Sequence, residues 1–272
     1  MLERKFLNES MVVYQSPLLA QVGVAHAFTT RLGGVSAAPF DSLNLGVAEA
    51  DRPGAVAENG RRLRASLGCA GHELITVSQV HGCQMHVPPD PRTEVPAAAT
   101  RSAVEADAIL SDRPDALLMI RVADCVPVLL ADVSGQYIAA IHAGWRGLVA
   151  GVIPQTVEAL RRRFGLAGGD LRAAIGPCIS AAHFEVGPEV AQAFVQAGLE
   201  HVVVAVDGHP RPHIDLSQAA FAQLRGAGVQ ARDIDASDRC TFRDQEEFYS
   251  HRRDAGRTGR QAAVIARRGR PR

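Results

Sequence analysis

The chain is short of several features that would each have fixed a class at once. Among 272 residues Lys plus Arg equals Asp plus Glu at 29 each. No overall field therefore draws it to nucleic acid or to an anionic membrane, and any positive patch must be local. No run approaches the roughly 20 apolar residues of a membrane-spanning helix. The opening MLERKFLNESMVVYQ scatters charges where a secretory signal would place an apolar core. Five cysteines, Cys69, Cys83, Cys125, Cys178 and Cys240, are odd in number, far apart and never arranged as CxxC. That argues against a disulfide framework or a Cys₄ zinc site and fits a reducing, cytoplasmic compartment. Neither a P-loop nor a dinucleotide fingerprint occurs, so ATP and NAD are not implied.

What is present is a chain that is 47% hydrophobic, enough to bury a substantial core. It shows no internal repeat and no convincing linker, and residues 1–272 read as one domain. The Pro/Ala-rich stretch Pro88 to Ala99 reads as a surface loop, and the basic run 267–272 as a frayed tail. Runs of β-branched and aliphatic residues bounded by turn residues predict strands at Gly23–Thr29, Glu73–Val77, Ala116–Val122, Pro127–Val133, Tyr137–His142, Arg172–Ile175, Val202–Val206 and Ala262–Ala266. Apolar stripes at helical spacing predict helices over Pro53–Leu67, Leu148–Phe164, Pro188–Gln196 and Leu216–Arg225, the last opening after Asp215 as N-cap. Strands occur both as hairpins and separated by helices, which predicts an α/β fold with mixed sheets.

The densest local signal is Ala123 to Gly147. A tight turn at Ser134-Gly135 folds two apolar strands together and brings Cys125 and His142 to the same end of a hairpin. His81, in QVHG, follows an apolar strand and can project from a sheet edge. A thiolate with two imidazoles suits Zn²⁺ and would leave a tetrahedral ion one open position, the arrangement of catalytic zinc. Two other readings fit the same spacing. Cys125 can be a core thiol beside hydrogen-bonded edge histidines, or a nucleophile with His142 as its base.

Glycine-rich turns carrying arginines recur in TTRLGGVS (29–36), HAGWRG (142–147) and SHRRDAGRTGR (250–260). Glycine lets backbone amides approach an oxyanion and an arginine fork binds it in bidentate fashion. Arg31 with Gly33 and Gly34 is the first candidate for a phosphate clamp, followed by Arg146 and Arg252. Asn44 is a candidate for ribose or base edges. Phe184 and Trp145 read first as packing.

In order along the chain, TTRLGGVS, SLNLG (42–46), QVHG (79–82), EADAIL (105–110), ADCVPVLL (123–130), HAGWRG, IGPCI (175–179), FEVG (184–187), CTF (240–242) and HRRDAGRTGRQ (251–261) resemble the YfiH-type laccase-domain family. Its members carry the names polyphenol oxidase, peptidoglycan editing factor and zinc-dependent purine nucleoside phosphorylase. The resemblance implies a single-domain layered α-β-β-α sandwich related to the cytotoxin-deamidase fold, and a metal site at His81, Cys125 and His142. It also implies phosphorolysis of adenosine, inosine, guanosine or methylthioadenosine, with adenosine deamination at the same centre. The partners are then purine nucleosides and inorganic phosphate. Asp124, beside Cys125, is the candidate proton shuttle for a metal-activated water attacking C6. Where the family carries Ser-Tyr-Arg-Arg, this chain has Ser250-His251-Arg252-Arg253. The alternatives are a copper-dependent polyphenol oxidase and a cysteine hydrolase acting on peptidoglycan precursors.

Overall fold

Strand alternation sorts the buried side chains into three apolar layers, and these define the architecture. The computed structural model describes residues 1–46, 51–89 and 104–267. One sheet contains β1 (Glu3–Phe6), β2 (Val12–Gln15), β3 (Ala25–Thr29), β4 (Glu73–Ile75), β7 (Ala116–Val122) and β14 (Gln261–Ala266), in the order β1-β2-β3-β14-β7-β4. A second contains β5 (Met85–His86), β6 (Ala108–Ser111), β8 (Val126–Asp132), β9 (Ile138–Ala143), β10 (Leu171–Ile175) and β13 (Ile234–Ala236), in the order β13-β10-β8-β9-β6-β5. β11 (Val203–Val204) and β12 (His213–Ile214) form a small separate pair. Both large sheets are mixed: β4 runs parallel to β7, β5 to β6 and β10 to β13, while the other pairings are antiparallel.

Side chains of a strand alternate between faces, and here each face has its own core. In β7, Leu118, Ile120 and Val122 point between the sheets, while Leu117 and Met119 point outward. In β8, Leu129 and Ala131 point between the sheets, while Val126, Val128 and Leu130 face helices. The short α1 (Pro17–Gln21) packs against the edge of the sandwich, and α2 (Pro53–Ser66) covers the outer face of the first sheet with Leu63. α3 (Trp145–Val149), α4 (Val152–Phe164), α5 (Pro188–Gln196) and α6 (Leu216–Gly226) cover the second. The result is the layered α-β-β-α arrangement with mixed sheets.

The single helix expected over Leu148–Phe164 is two. Gly151 takes a left-handed conformation (φ 76°) that ends one helix and caps the next. Pro154 then falls in the first turn of α4, where its missing N–H costs no hydrogen bond. The strand expected over Val202–Val206 shrinks to two residues, preceded by a 3₁₀ turn. The hairpin is as read: β8 and β9 pair from Val126↔Ala143 to Ala131↔Ile138. Gly135 is left-handed, and the Asp132 carboxylate accepts from the amides of Ser134, Gln136 and Tyr137 and from the Ser134 hydroxyl. Most of the Pro88–Ala99 loop and of the basic tail lies outside the described residues. Among the described residues no helix is long and apolar enough to cross a membrane.

Candidate metal centre and arginine cleft

The chain passes from the first sheet to the second twice at the same end of the sandwich, and both crossings carry a candidate ligand. After β4 it runs through Gln79, Val80 and His81 to reach β5. After β7 it turns through Ala123, Asp124 and Cys125 into β8. His142, next to the last residue of β9, pairs with Pro127. Cys125 lies two residues before Pro127 and so shares its face, which puts thiol and imidazole diagonally across the hairpin. The crossings need tight turns, and the two residues that make them, His81 (φ 61°) and Asp124 (φ 90°), are non-glycine residues with positive φ. Such residues are uncommon and gather where a side chain must be aimed.

The ligand atoms of His81, Cys125 and His142 lie within 4.8 Å of one another, with the two imidazoles edge to face at 4.8 Å between centroids. His142 is buried, Cys125 half-buried and His81 exposed, so the trio opens on one side. Gly144 lines the trio's flank: a Cβ there would stand 2.9 Å from His81 Cδ2 and 3.2 Å from Cys125 Sγ. Only glycine leaves this cradle free.

Asp107, part of the EADAIL motif but given no role from sequence, holds the trio together. Its fully buried carboxylate lies 2.7 Å from His142 Nδ1 and accepts the backbone amides of Val80, His81 and Gly82 at 3.3, 2.9 and 2.7 Å. Its own carbonyl takes the amide of His142. One carboxylate thus fixes the His81 turn and occupies His142 Nδ1, leaving Nε2 available as a candidate ligand nitrogen, the usual partnership behind a metal-bound histidine. Burial would raise the Asp107 carboxyl, but the hydrogen bonds from His142, Gly82 and His81 outweigh it and keep it below its ordinary value. Burial likewise opposes ionisation of Cys125, yet the neighbouring His142 charge and the hydrogen bonds from both imidazoles bring the thiol down to about 6. His142 moves the opposite way, raised by the Cys125 thiolate and Asp107 against its own burial. The pocket therefore favours the thiolate, the form that binds metal.

The trio forms one end of a cleft of about 900 Å³, which five arginines also line: Arg121, Arg146, Arg252, Arg257 and Arg260. None has a carboxylate within ion-pairing distance among the described residues. Arg121, in β7, gives Nε to the Leu45 carbonyl, while Gln79 clamps its backbone through both amide atoms. Arg260 gives Nη1 to the carbonyls of Thr258 and Gly259. Burial holds both guanidiniums below their ordinary values. Arg146 lies over the Trp145 ring at 4.3 Å, and Arg252 over Phe184 at 5.1 Å while giving Nη1 to the Glu185 carbonyl. Trp145 and Phe184 both line the cleft, so neither serves packing alone. His251, standing where the family carries tyrosine, lines it too.

Other residues singled out from sequence lie elsewhere. Arg31 borders a separate cleft, paired with Asp41 at 3.2 Å and bonded to the carbonyls of Asp41 and Gln245. Gly33 and Gly34 serve close packing: a Cβ on Gly33 would meet Met11 Cα at 2.6 Å, and one on Gly34 would collide with the Ser42 carbonyl. Asn44 is fully buried. Its amide gives a hydrogen bond to Asp51 and its oxygen accepts the backbone amides of Gly46 and Arg260. It thereby places Arg260 rather than facing the cleft. Asp124 lines the cleft, but both carboxylate oxygens are occupied, by the Thr241 hydroxyl and the Arg252 amide at 2.7 Å each. Arg121 and Arg260 went unselected from sequence, although an arginine inside the apolar run ALLMIRV is itself a signal, since charge in a buried strand is rarely retained without use.

A family profile described as multi-copper polyphenol oxidoreductase laccase matches residues 25–268. A Deinococcus radiodurans protein named purine nucleoside phosphorylase is 44% identical over 251 residues, 92% of each chain. The Escherichia coli purine nucleoside phosphorylase YfiH is 39% identical over 243 residues, 89% of this chain and 93% of its own. In structure the chain is similar to YlmD from Geobacillus stearothermophilus, with a TM-score of 0.85 at 31% identity over 98% of this chain and 99% of that one. By the profile match, by these relatives and by the shared fold, the chain belongs to the YfiH-type laccase-domain family.

Proposed function

We propose that the protein is a zinc-dependent purine nucleoside phosphorylase that also deaminates adenosine. One observation carries the reading: a Cys-His₂ set able to hold a metal shares its cleft with five arginines that have no carboxylate within ion-pairing distance among the described residues. Uncompensated guanidiniums around a cavity call for an anionic co-substrate, and phosphate is the anion that converts nucleoside cleavage into phosphorolysis. The relatives named purine nucleoside phosphorylase support the same class.

His81, Cys125 and His142 would hold the ion. Bound there, Zn²⁺ supplies a Lewis acid at the cleft's end. Arg260 and Arg121 replace Arg31 as the phosphate clamp, because their guanidiniums line the cleft while that of Arg31 is spent on Asp41. The arginine-backed rings of Phe184 and Trp145 offer flat faces to a purine. In phosphorolysis a phosphate oxygen forms the bond to C1′ as the C1′–N9 bond breaks. The bonding pair leaves with the purine, which takes up a proton, and the arginine-held phosphate screens the positive charge growing on the sugar. Asp124, with both oxygens committed, positions Thr241 and the Arg252 loop.

The test is a panel of purine nucleosides incubated with and without phosphate, using protein of measured metal content and chromatographic readout. Free base and ribose 1-phosphate appearing only with phosphate, together with inosine formed from adenosine without it, are expected. Stoichiometric copper with phenol oxidation and no base release would overturn the reading in favour of a polyphenol oxidase. Amide hydrolysis by metal-free protein would favour a cysteine hydrolase.

A further inference from the structure

Away from the cleft's ligand trio, the chain brings a carboxylate and two imidazoles together a second time. Glu185 and His213 face each other across an isolated antiparallel bridge, flanked by hydrogen bonds from Val186 to Pro212 and from Ile214 to Phe184. His209 comes from the turn that follows β11. The ligand atoms of Glu185, His209 and His213 lie within 4.8 Å of one another.

The state of His213 makes this more than a polar cluster. Its side chain is 1% exposed. Nδ1 lies 2.6 Å from the Ala181 carbonyl oxygen, which can only accept, so Nδ1 carries a proton and the neutral imidazole presents its lone pair at Nε2. That Nε2 is buried, has no hydrogen-bond partner among the described residues and stands 4.0 Å from Glu185 Oε2. His209 Nδ1 approaches the same oxygen at 3.3 Å, with the two rings edge to face at 5.0 Å. Arg211 Nη1 lies 3.6 Å from the other oxygen, Oε1, and so leaves Oε2 to the histidines. A tautomer fixed by a backbone carbonyl, with a bare nitrogen converging on a carboxylate oxygen and a second imidazole, is the preparation of a metal ligand.

We propose that Glu185, His209 and His213 form a second metal site that takes Zn²⁺. Two imidazoles and one carboxylate suit zinc, whereas Ca²⁺ and Mg²⁺ prefer oxygen ligands throughout. His209 is 48% exposed, which gives the ion a way in. The ion would tie the 207–213 loop to the strap carrying Phe184 and Glu185. That strap forms part of the cleft wall, because Phe184 lines the cleft beneath Arg252, whose Nη1 donates to the Glu185 carbonyl.

Full-length protein, stripped with chelator and reloaded with Zn²⁺, is weighed by native mass spectrometry. Two ions per chain are expected for the unmodified protein, one for Cys125→Ser, one for His209→Ala and none for the double variant. Because His209 is half exposed, its removal should spare the fold, and Glu185→Gln gives a second route to the same loss. Co²⁺ separates the sites by colour. The near-ultraviolet thiolate-to-cobalt band belongs to the Cys125 set alone, so Cys125→Ser should lose it while keeping visible d–d absorption that His209→Ala in the same background removes. Zero ions on Cys125→Ser, or unchanged stoichiometry on both His209→Ala and Glu185→Gln, would overturn the proposal.

Discussion

Two clefts on this molecule are built from the same ingredients, glycine-rich turns and arginines, and differ in how their charge is balanced. In the one that contains Arg31, that residue and Arg253, with Arg257 shared between the two clefts, meet three acids (Asp41, Glu246, Asp254). Arg31 pairs with Asp41, and Arg253 with Asp254. Arg253 also donates to the carbonyls of Thr241, Phe242 and Phe248, so it fastens loops together. In the other, five arginines meet a single acid, Asp124, whose oxygens are already occupied. An arginine motif is therefore not an anion site in itself. It is a candidate for one where no carboxylate among the described residues stands beside it.

The largest effect expected from breaking this contrast is at the trio. Cys125→Ala should reduce nucleoside turnover by about 10³-fold or more, since metal polarisation is lost outright, while metal analysis shows one ion fewer per chain. Next, Arg260→Met should raise the KM for phosphate and lower phosphorolysis by about 10²-fold, the scale of removing one preorganised charge donor. It should leave adenosine deamination, which needs no phosphate, near its starting rate. Arg31→Met should leave phosphate dependence within about twofold, its cost falling on stability through the lost pair with Asp41 and the hydrogen bonds to the carbonyls of Asp41 and Gln245. Steady-state kinetics at varied phosphate decide between the clefts, and a larger phosphate effect at Arg31 than at Arg260 reverses the assignment.

Asp107→Asn sharpens the picture at intermediate size. It keeps the shape but weakens the grip on His142 Nδ1 and the 80–82 amides, and about a 10–100-fold loss of metal affinity is expected in competition with a chromophoric chelator. Unchanged affinity would mean that Asp107 serves the fold alone. The smallest effect is in pH. With metal stripped, Cys125 is held below its ordinary value, so its thiolate persists as pH falls and is lost only on passing about 6. Burial pushes the Cys178 thiol up instead, keeping it protonated across the neutral range. Alkylation at pH 7, mapped by peptide mass spectrometry, should label Cys125 and spare Cys178. Equal labelling would remove the electrostatic basis for the thiolate.

Much of the scaffold could be read in advance because its strands and helices advertise themselves locally. Ala116–Val122 and Val126–Asp132 are buried throughout or nearly so, and long apolar runs result. What escaped was short or polar: β1 with its exposed ERKF, the two-residue β5 and β12, the three-residue β13, and β2 and β6, largely buried but only four residues each. These are strands only because a neighbour pairs with them. His81, Cys125 and His142 were singled out because metal-binding residue types stood at strand ends around an obvious hairpin. Asp107 received no role because nothing local distinguishes a carboxylate that collects three loop amides from one that faces water.

The sequence by itself determined the α/β character with mixed sheets, the hairpin and the residues able to bind a soft divalent ion, since these follow from side-chain periodicity and donor chemistry carried in each residue. Only the tertiary structure decided which arginines carry free charge, that Asn44 and Asp124 position other groups, and that Glu185, His209 and His213 converge. The reason is physical: charge compensation and ligand geometry depend on distances between segments far apart in the chain, and packing alone sets those distances.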